Sequence, residues 1–398
     1  MKRLLIENGR IVRTDGISSG SLLIEDGRIA DADYRGEPPE DSERFDARGG
    51  YVLPGFIELH AHGGGGYDFV DEAESESGDV FDHIFGVHLS HGVTKLCPTL
   101  TASTSEKTLS FLESCERLKH RRGFAGCHLE GPFLSPLMCG AQNLSNLRIP
   151  DERTIDRLCG YAGIIARITA APELEAVDKL CRRMTSLGVR MSAGHSAADA
   201  ETLRRAADMG FDQITHLFCS CSQRIKRGGH VYGGIVEEAL INDHFSVELI
   251  GDGHHVSREN ILLTLKCKGA GRVSLVSDAM RAAGCESDSG ESYLGEILPE
   301  NRVILEDGVA KLPDRSSFAG SLASGDMMVS ALCGDYGLPL PVVSRMMSET
   351  PAKMLGSAAS CGRLLPGFDA DITILDEKYK TTAVISSGTL IYKGEAHE

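Results

Sequence analysis

The feature that most constrains the fold is a series of short apolar runs, each followed by a helical pattern, along the central part of the chain. Eight runs have the length and composition of buried strands: FIELHA (56–61), VTKLCP (93–98), FAGCHL (124–129), IIARIT (164–169), VRMSAG (189–194), FDQITH (211–216), FSVELI (245–250) and RVSLVS (272–277). Eight strands separated by helices predict a (β/α)8 TIM-like barrel of the α/β class. The alternative is an open doubly wound sheet, but no GxGxxG motif follows a strand to support it.

Several of the intervening segments carry clear helix signals. Residues 105–120 have apolar side chains at spacings of three, and residues 172–188 open with proline and acidic residues and close on glycine. Residues 196–210 run from Ser196, a potential N-cap, to Gly210, a potential helix stop. We therefore predict a helix in each of these segments.

Two β-rich segments flank the predicted barrel. The first contains strand-like runs with turn signals at Asn8-Gly9 and Asp26-Gly27, and the last, residues 362–394, again has the pattern strand, turn, strand. Neither segment is long enough to enclose a core alone, so we predict one small β-sandwich domain formed from both chain termini. The expected bounds are 1–53 and 362–398 for this domain and 54–361 for the barrel.

Charge and cysteine content narrow the possible function classes. The chain has 41 Lys and Arg against 57 Asp and Glu, a net charge of −16, which repels nucleic-acid backbones and anionic membranes. The sequence contains neither a signal-peptide pattern nor a transmembrane stretch, and its 12 cysteines are scattered as in proteins with reduced thiols. We therefore expect a cytoplasmic protein without nucleic-acid or membrane partners.

Polar side chains stand at the ends of six of the eight predicted strands. They are His60 and His62 at the first strand, Glu130 at the third, His195 at the fifth, His216 at the sixth, Asp252, His254 and His255 after the seventh, and Asp278 after the eighth. In a barrel these ends face one pocket, where the chemistry takes place. The spacing of His60 and His62 sends both imidazoles to the same face of a strand. The pattern therefore predicts a functional site at the mouth of the barrel.

Four histidines and two carboxylates at these ends have the composition of a metal centre. The set suits a borderline divalent ion such as zinc, iron, cobalt or manganese. It exceeds the three protein ligands that a single catalytic zinc uses, whereas a carboxylate shared between two ions would engage every ligand. We expect Glu130 to be this bridge, because metal charge compensates a buried carboxylate.

Together these motifs resemble a known family. PGFIELHAHG (54–63), HLEGPF (128–133), SAGHS (192–196), THLF (215–218), GDGHHV (251–256), SDAM (277–280) and AGS (319–321) resemble the N-acetylglucosamine-6-phosphate deacetylases of the amidohydrolase superfamily. The resemblance covers essentially the whole chain, and HLEGP with GHS and THL is its specific part. It implies a metal-dependent deacetylase that acts on an N-acetylhexosamine 6-phosphate.

The resemblance also implies how the metal ligands divide. Glu130, His195 and His216 would bind the tighter ion, and His60 and His62 would complete a second site. One or two divalent ions per subunit are therefore expected, with zinc as the first choice and iron, cobalt or manganese as alternatives.

Three residues are implied in catalysis. Asp278 matches the family's general acid/base, which accepts a proton from water and delivers it to the departing amine, and it can also touch the metal. Gln142 stands where the family usually has a histidine that polarises the acetyl carbonyl, and its amide can still donate a hydrogen bond. His255 matches the histidine that contacts the sugar. Acetate and an amino sugar phosphate would be the products.

The substrate contacts follow from the same resemblance. They are expected at Ala141, Gln142, Cys219, Ser220, Arg227, His255 and Arg281. Cys219-Ser220 replaces the Asn-Ala pair that usually contacts the phosphate, and Arg281 adds a cation near the pocket mouth. Arg227 matches an arginine that reaches the phosphate of a neighbouring subunit, so a homodimer acting on a small anionic sugar phosphate is expected.

Two other functions stay open. The chain could catalyse a different amidohydrolase reaction, either cyclic-amide opening or deacetylation of another acylated amine. Cyclic amidases usually carry a modified lysine on strand four, and IIARIT has none. It could also be a catalytically silent homologue that binds a sugar phosphate, although all predicted metal ligands and Asp278 are present.

Overall fold

A computed structural model of the protein describes residues 2–73, 77–287 and 289–394. The chain divides into two compact units. The first comprises Met1–Glu58, Gly86–Lys95 and Ser324–Glu398, and the second comprises Leu59–Phe85 and Leu96–Ala323. The domain bounds derived from the sequence stay a prediction.

Eight strands form one sheet in which each strand neighbours the next along the chain. We call them barrel strands 1 to 8: Phe56–Ala61, Val93–Leu100, Cys127–Glu130, Ile165–Ala170, Arg190–Ala193, Phe211–Ile214, Ser246–Ile250 and Val273–Val276. The backbone N–H of Asp278 donates to the carbonyl of His60 at 2.9 Å, which joins the last strand to the first. The predicted TIM-like barrel is therefore confirmed, and all eight predicted strands are present.

The barrel strands are largely buried and rich in apolar residues, as expected for strands whose two faces are both covered. Every residue of Phe56–Ala61 is buried, as is every residue of Val273–Val276. One face fills the barrel interior and the other packs under the helices, so such strands show no alternation between apolar and polar residues. Many polar side chains of these strands, among them His60, Glu130 and Ser274, are consequently buried.

The helices from Phe69 to Lys268 lie between barrel strands or in the loops at their ends. They are Phe69–Glu72, Asp79–Ser90, Ser105–Leu118, Glu152–Gly160, Val177–Ser186, Ala200–Met209, Ile235–Ile241 and Arg258–Lys268, with 3-10 turns at Pro136–Met138, Leu144–Asn146, Ala270–Arg272 and Pro299–Asn301. The predicted helix over 105–120 is confirmed. The helix predicted over 172–188 begins only at Val177, because Ala176 has the left-handed φ of 61° and interrupts helical geometry.

The helix predicted over 196–210 is present as Ala200–Met209, but its N-cap differs from the prediction. Asp199 caps the helix by accepting a hydrogen bond from the Thr202 N–H at 3.0 Å. The Ser196 hydroxyl instead donates to Glu173 at 2.6 Å. Gly210 ends the helix with φ 117°, as predicted, because a left-handed residue is easiest for glycine.

Both chain termini contribute to one eight-stranded sheet in the first unit. Its strands are Thr389–Lys393, Thr381–Ser386, Ile372–Leu375, Tyr51–Pro54, Arg3–Arg13, Gly16–Glu25 and Arg28–Tyr34 in spatial order, with Ser42–Asp46 also pairing with Arg3–Arg13. An apolar cluster that includes Ile6, Ile24 and Ile374 forms the core of this β domain. The terminal β domain is therefore confirmed, and its strands are continuous in a single sheet.

One predicted turn in this sheet is wrong. Arg3–Arg13 passes through Asn8-Gly9 as one strand, and its pairing shifts between Ile6 and Gly9. The turn signal at Asn8-Gly9 therefore marks a bulge, in which Asn8 takes φ 55°. The turn at Asp26-Gly27 is confirmed between Gly16–Glu25 and Arg28–Tyr34.

The remaining elements are short. Small strand pairs form at Gly63–Gly64 with Tyr67–Asp68 and at Ile225–Arg227 with His230–Tyr232, and a four-stranded sheet contains Gly290–Tyr293, Arg302–Glu306, Val309–Lys311 and Phe318–Ser321. The helices of the last part are Gly325–Ser330, Leu340–Ser344 and Thr350–Met354, with π-helical turns at Ala331–Asp335 and Arg345–Glu349. In the described ranges, no helix combines the length and apolarity needed to span a bilayer.

Candidate active site

The side chains predicted as metal ligands converge at the C-terminal ends of the barrel strands. All are buried: His60, His62, Glu130, His195, His216 and Asp278. Two groups among them have ligand atoms within 4.8 Å of one another: His60, His62 and Asp278 in one, and His60, Glu130 and His216 in the other. His60 belongs to both groups. The fold therefore brings together every ligand that the sequence predicts.

Glu130 lies at the centre of the imidazoles. Its Oε1 is 2.8 Å from Nε2 of His216 and 3.1 Å from Nε2 of His195. The same oxygen is 3.3 Å from Nε2 of His60, and Oε2 is 3.3 Å from Nε2 of His62. One carboxylate oxygen thus faces three imidazoles and the other faces the fourth, and the bridging role of Glu130 stays a prediction.

The four histidines all turn Nε2 inward, because each Nδ1 faces an acceptor in the surrounding protein. The acceptors are Glu248 Oε2 for His60 (3.2 Å), the Thr99 carbonyl for His62 (3.3 Å), the Met138 carbonyl for His195 (3.0 Å) and the Cys219 carbonyl for His216 (3.1 Å). A proton held on Nδ1 leaves Nε2 with a free lone pair. The Nε2 atoms then face each other at 3.3 Å in the pair His60–His62 and at 3.1 Å in the pair His195–His216. Converging lone pairs of this kind fit a bound cation.

The charge balance of the cluster also fits a divalent ion. Burial would lower the pKa of His62, but Asp278 and Glu130 raise this pKa to about 9. Burial would raise the pKa of Asp278, but His60 and His62 hold this pKa below its ordinary value. The carboxylates therefore attract positive charge into a buried space. A divalent ion supplies such charge by displacing protons from the histidines.

The backbone at three of the candidate ligands is strained. His195, His216 and Asp278 have φ values of 46°, 28° and 51°, which few residues other than glycine adopt. Such conformations cost about 1–3 kcal/mol each and occur mainly where function requires a side chain to be aimed. Each of these residues directly follows or closely follows the end of a barrel strand. The strain therefore coincides with the sharp turns that direct the ligands into the barrel mouth.

A cavity of about 200 Å³ adjoins the cluster. The predicted residues that line it are His62, Glu130, Ala141, Gln142, His195, His216, Cys219, Ser220, His255 and Asp278. The other lining residues are Ile250, Leu294, Ser317, Phe318 and Gly320, of which the sequence analysis included only Gly320 in a site motif, the AGS at 319–321. Ser317 and Phe318 directly precede the AGS motif, which was the signal that they lie near the site.

His255 is held in the cavity wall by a buried carboxylate. Its Nδ1 donates to Asp252 Oδ2 at 2.6 Å, and its ring centroid lies 4.7 Å from that of Phe318. Asp252 thereby holds the proton on Nδ1, so Nε2 is the ring nitrogen left for a ligand.

Gln142 contacts Glu130 of the candidate metal-binding cluster directly. Its side-chain amide donates to Glu130 Oε2, and its oxygen accepts from the Ala102 N–H at 2.8 Å. Both ends of the amide are thus engaged, and Gln142 orients Glu130. The expected contact between Gln142 and an acetyl carbonyl stays a prediction.

The arginines predicted for the substrate do not line this cavity. Arg281 is buried, and its guanidinium donates to Asp71 Oδ1 at 3.1 Å and to the Gly295 carbonyl at 2.8 Å. Arg281 therefore lies outside the cavity lining. The sequence analysis had expected it near the mouth of the pocket. Arg227 lies on the hairpin Ile225–Arg227 with His230–Tyr232, exposed, with Nη1 3.1 Å from Asp199 Oδ2.

The sequence analysis missed an ion pair beneath the cluster. Glu248 on barrel strand 7 and Arg167 on barrel strand 4 are both fully buried, and Nη1 of Arg167 donates to Oε1 of Glu248. Burial opposes ionisation of Glu248, but Arg167 and His60 lower its pKa to about 2. The sequence feature that could have revealed this ion pair is a single charged residue inside each of the apolar runs IIARIT and FSVELI.

The chain matches known proteins over almost its full length. The Amidohydrolase family model matches residues 51–391. The chain is 31% identical over 397 residues to the N-acetylglucosamine-6-phosphate deacetylase of Bos taurus, covering 98% of this chain and 95% of that protein. It is also 31% identical over 395 residues to the N-acetylgalactosamine-6-phosphate deacetylase of Escherichia coli O157:H7, with 98% and 97% covered.

Solved structures show the same similarity. N-acetylglucosamine-6-phosphate deacetylase from Pasteurella multocida superposes with a TM-score of 0.89 at 26% identity, covering 98% of this chain and 99% of that one. The Mycobacterium smegmatis deacetylase, solved with N-acetyl-D-glucosamine-6-phosphate, has a TM-score of 0.87 at 28% identity, with 98% and 99% covered. The protein therefore belongs to the amidohydrolase family and, within it, to the N-acetylglucosamine-6-phosphate deacetylases.

Proposed function

We propose that this protein hydrolyses the acetamide of N-acetylglucosamine 6-phosphate to acetate and the amino sugar phosphate. The observation that carries the proposal is the convergence of four histidine Nε2 atoms and two carboxylates beside a cavity of about 200 Å³. The named substrates of the relatives support the choice of substrate. Zinc is the first candidate for the metal, with iron, cobalt or manganese as alternatives, and one or two ions per subunit.

The residues that would hold the metal divide into two sets. Glu130, His195 and His216 form the first, and His60 and His62 complete a second with Asp278. A divalent ion bound there supplies Lewis acidity, which lowers the pKa of water toward neutrality and stabilises charge on a carbonyl oxygen. The protein's own contribution is to hold the Nε2 lone pairs inward and to exclude bulk water.

Asp278 is the proposed proton carrier. It lines the cavity, and its Oδ1 is 3.2 Å from Nε2 of His62. Because its pKa lies below the ordinary value, the carboxylate is ionised and can accept the proton of the attacking water. The same proton then goes to the amine nitrogen, which cannot leave as an anion.

The sugar phosphate would occupy the part of the cavity away from the metal. Ser220 and Cys219 stand in the cavity wall, and a serine hydroxyl can donate to a phosphate oxygen. The cavity lining contains no lysine or arginine among the described residues. We therefore retain Arg227 as a cation supplied to the pocket of a partner subunit, which makes the active unit a homodimer. A cytoplasmic location also stays a prediction.

We expect His255→Asn to lower kcat/KM about tenfold, mainly through KM, because one hydrogen bond to the sugar is lost. Steady-state kinetics of acetate release will measure the effect. His254→Asn is the matched control, because His254 is the exposed neighbour of His255 and does not line the cavity. Equal effects of the two substitutions would contradict a sugar contact by His255.

The substrate is tested by measuring acetate release from N-acetylglucosamine 6-phosphate, N-acetylgalactosamine 6-phosphate and unphosphorylated N-acetylglucosamine. We expect the highest kcat/KM for the first. The galactosamine isomer is the second candidate, because the relative from Escherichia coli O157:H7 is equally similar to this chain at 31% identity. Equal turnover of the unphosphorylated sugar would overturn the sugar-phosphate assignment. If fully metallated protein turned over none of these sugars, two hypotheses would remain. The substrate would be another N-acyl amine, or the protein would bind a sugar phosphate without catalysis.

A further inference from the structure

His60 differs from the other inward-facing histidines in the group that holds its Nδ1 proton. His62, His195 and His216 donate to backbone carbonyls, whereas His60 donates to the carboxylate of Glu248 at 3.2 Å. A carboxylate partner makes an imidazole a stronger electron donor and fixes its tautomer more firmly than a neutral carbonyl does. His60 is also the residue common to both ligand groups.

Glu248 makes a second contact with the cluster, at the backbone around His216. The oxygen that accepts from His60 also accepts from the backbone N–H of His216 at 3.2 Å. The N–H of Leu217 donates to the Glu248 carbonyl at 2.8 Å. These bonds hold the turn in which His216 has the left-handed φ of 28°. One residue on barrel strand 7 thus contacts a ligand of each proposed metal site.

Arg167 fixes Glu248 from the opposite side. Its guanidinium contacts Oε1, which leaves Oε2 for His60 and the His216 backbone. The three side chains form the buried series Arg167–Glu248–His60, which we call the support chain. The ring of His128 packs edge-on against His60 at a centroid distance of 4.7 Å and restricts its rotation.

We propose that Glu248, oriented by Arg167, is a positioning residue that keeps the proton of His60 on Nδ1 and so makes His60 Nε2 a metal ligand. This inference rests on the proposed function, because it assumes that the cluster binds a divalent ion. Glu248 itself is fully buried and does not line the cavity. Its effect is exerted through the tautomer and the orientation of His60.

Replacing the carboxylate by an amide of the same shape separates this role from packing. In Glu248→Gln the amide can offer its NH₂ group to Nδ1, which favours the His60 tautomer that carries its proton on Nε2. That proton blocks the lone pair needed for the metal. We expect the affinity of the site containing His60 to fall by about 10–100-fold, the usual effect of removing such a partner.

The experiment titrates metal-free wild type and Glu248→Gln with Zn²⁺ against a chromophoric chelator and measures bound metal by elemental analysis. Absorption spectra of the Co²⁺-loaded proteins report whether the ligand set has changed. Glu238→Gln is the matched control, because Glu238 is also buried and pairs with Arg204 at 2.9 Å, on the helix Ile235–Ile241. We expect Glu238→Gln to bind as many ions as the wild type, with the same affinity.

A second variant covers the case in which Glu248→Gln folds poorly because Arg167 is left unpaired. The double variant Arg167→Met with Glu248→Leu removes both buried charges and leaves no acceptor at this position for His60 Nδ1, and replacing a buried ion pair by apolar side chains is a change that proteins often tolerate. We expect it to recover the thermal stability of the wild type but to keep the weakened metal binding. Recovery of metal affinity together with stability would show that the support chain has only a structural role and would overturn the proposal.

Two other results have clear meanings. Unchanged zinc affinity and an unchanged Co²⁺ spectrum in Glu248→Gln would overturn the proposal directly. If the wild type holds only one ion, its affinity for that ion is compared with that of Glu248→Gln. This comparison remains valid because His60 belongs to both candidate ligand groups. A wild type that binds metal without releasing acetate would overturn the proposed substrate, while the metal titration would still decide the role of Glu248.

Discussion

Asp278→Asn is expected to slow acetate release from N-acetylglucosamine 6-phosphate by about 10³-fold, within the range for loss of a general acid/base. The amide keeps the size of the side chain but cannot accept the proton of water or deliver one to the amine. Both carboxylates of the cluster line the cavity, but Glu130 lies within 3.3 Å of four imidazole nitrogens, whereas Asp278 lies within that distance of only His62 among the four histidines. The effect should therefore appear in kcat more than in KM.

Metal analysis of the same protein separates proton transfer from metal loss. Because Asp278 also lies 3.2 Å from His62 Nε2, the second ion can be weakened, whereas the ion held by Glu130, His195 and His216 should be retained. Asp212→Asn is the control, since Asp212 lies at the start of barrel strand 6 and pairs with Arg190 at 2.9 Å. Activity within tenfold of the wild type in metallated Asp278→Asn would rule out Asp278 as the proton carrier.

Glu130→Gln is expected to lose both metal binding and activity. The carboxylate approaches four imidazole nitrogens within 3.3 Å, so its charge is the electrostatic centre of the cluster. Without it, the Lewis acid that contributes several kcal/mol to transition-state stabilisation is absent, and the rate should fall by about 10²–10³-fold or more. Elemental analysis and the acetate assay measure the two effects on one sample.

Thermal unfolding gives an independent measure of the same substitution. Removing metal from the wild type should lower Tm, because a ligand that binds only the folded state stabilises it by mass action. Glu130→Gln should show a Tm that no longer responds to added Zn²⁺, whereas Glu238→Gln should respond like the wild type. A Glu130→Gln protein with normal metal content would contradict the bridging role.

The apolar runs and their polar ends were sufficient to predict most of the fold and the candidate site. Whether a segment forms a strand depends largely on its local composition, and all eight predicted barrel strands are present. The convergence of the candidate ligands could be predicted because they stand where strands end, and a barrel brings those ends together regardless of the loops between them. The family resemblance added the expected roles of Asp278 and His255.

The errors concern properties that local sequence does not determine. Asn8-Gly9 has the composition of a hairpin turn, but the pairing of Arg3–Arg13 with neighbours on both sides keeps it in a strand as a bulge. Serine is a common N-cap residue, yet the Ser196 hydroxyl donates its hydrogen bond to Glu173, which is distant in sequence. In both cases a tertiary hydrogen bond or ladder outweighed the local preference.

The sequence by itself determined the barrel, the side chains that meet at its mouth and the family, because these depend on residue types at periodic positions and strand ends. Only the tertiary structure decided where the arginine side chains lie and which partners hold the histidines and carboxylates of the site. Arg281 follows Asp278 by three residues but turns to Asp71, and Glu248 meets Arg167 across the barrel interior. The physical reason is that a buried charge must find its partner in space, and separation along the chain does not reveal which partner that is.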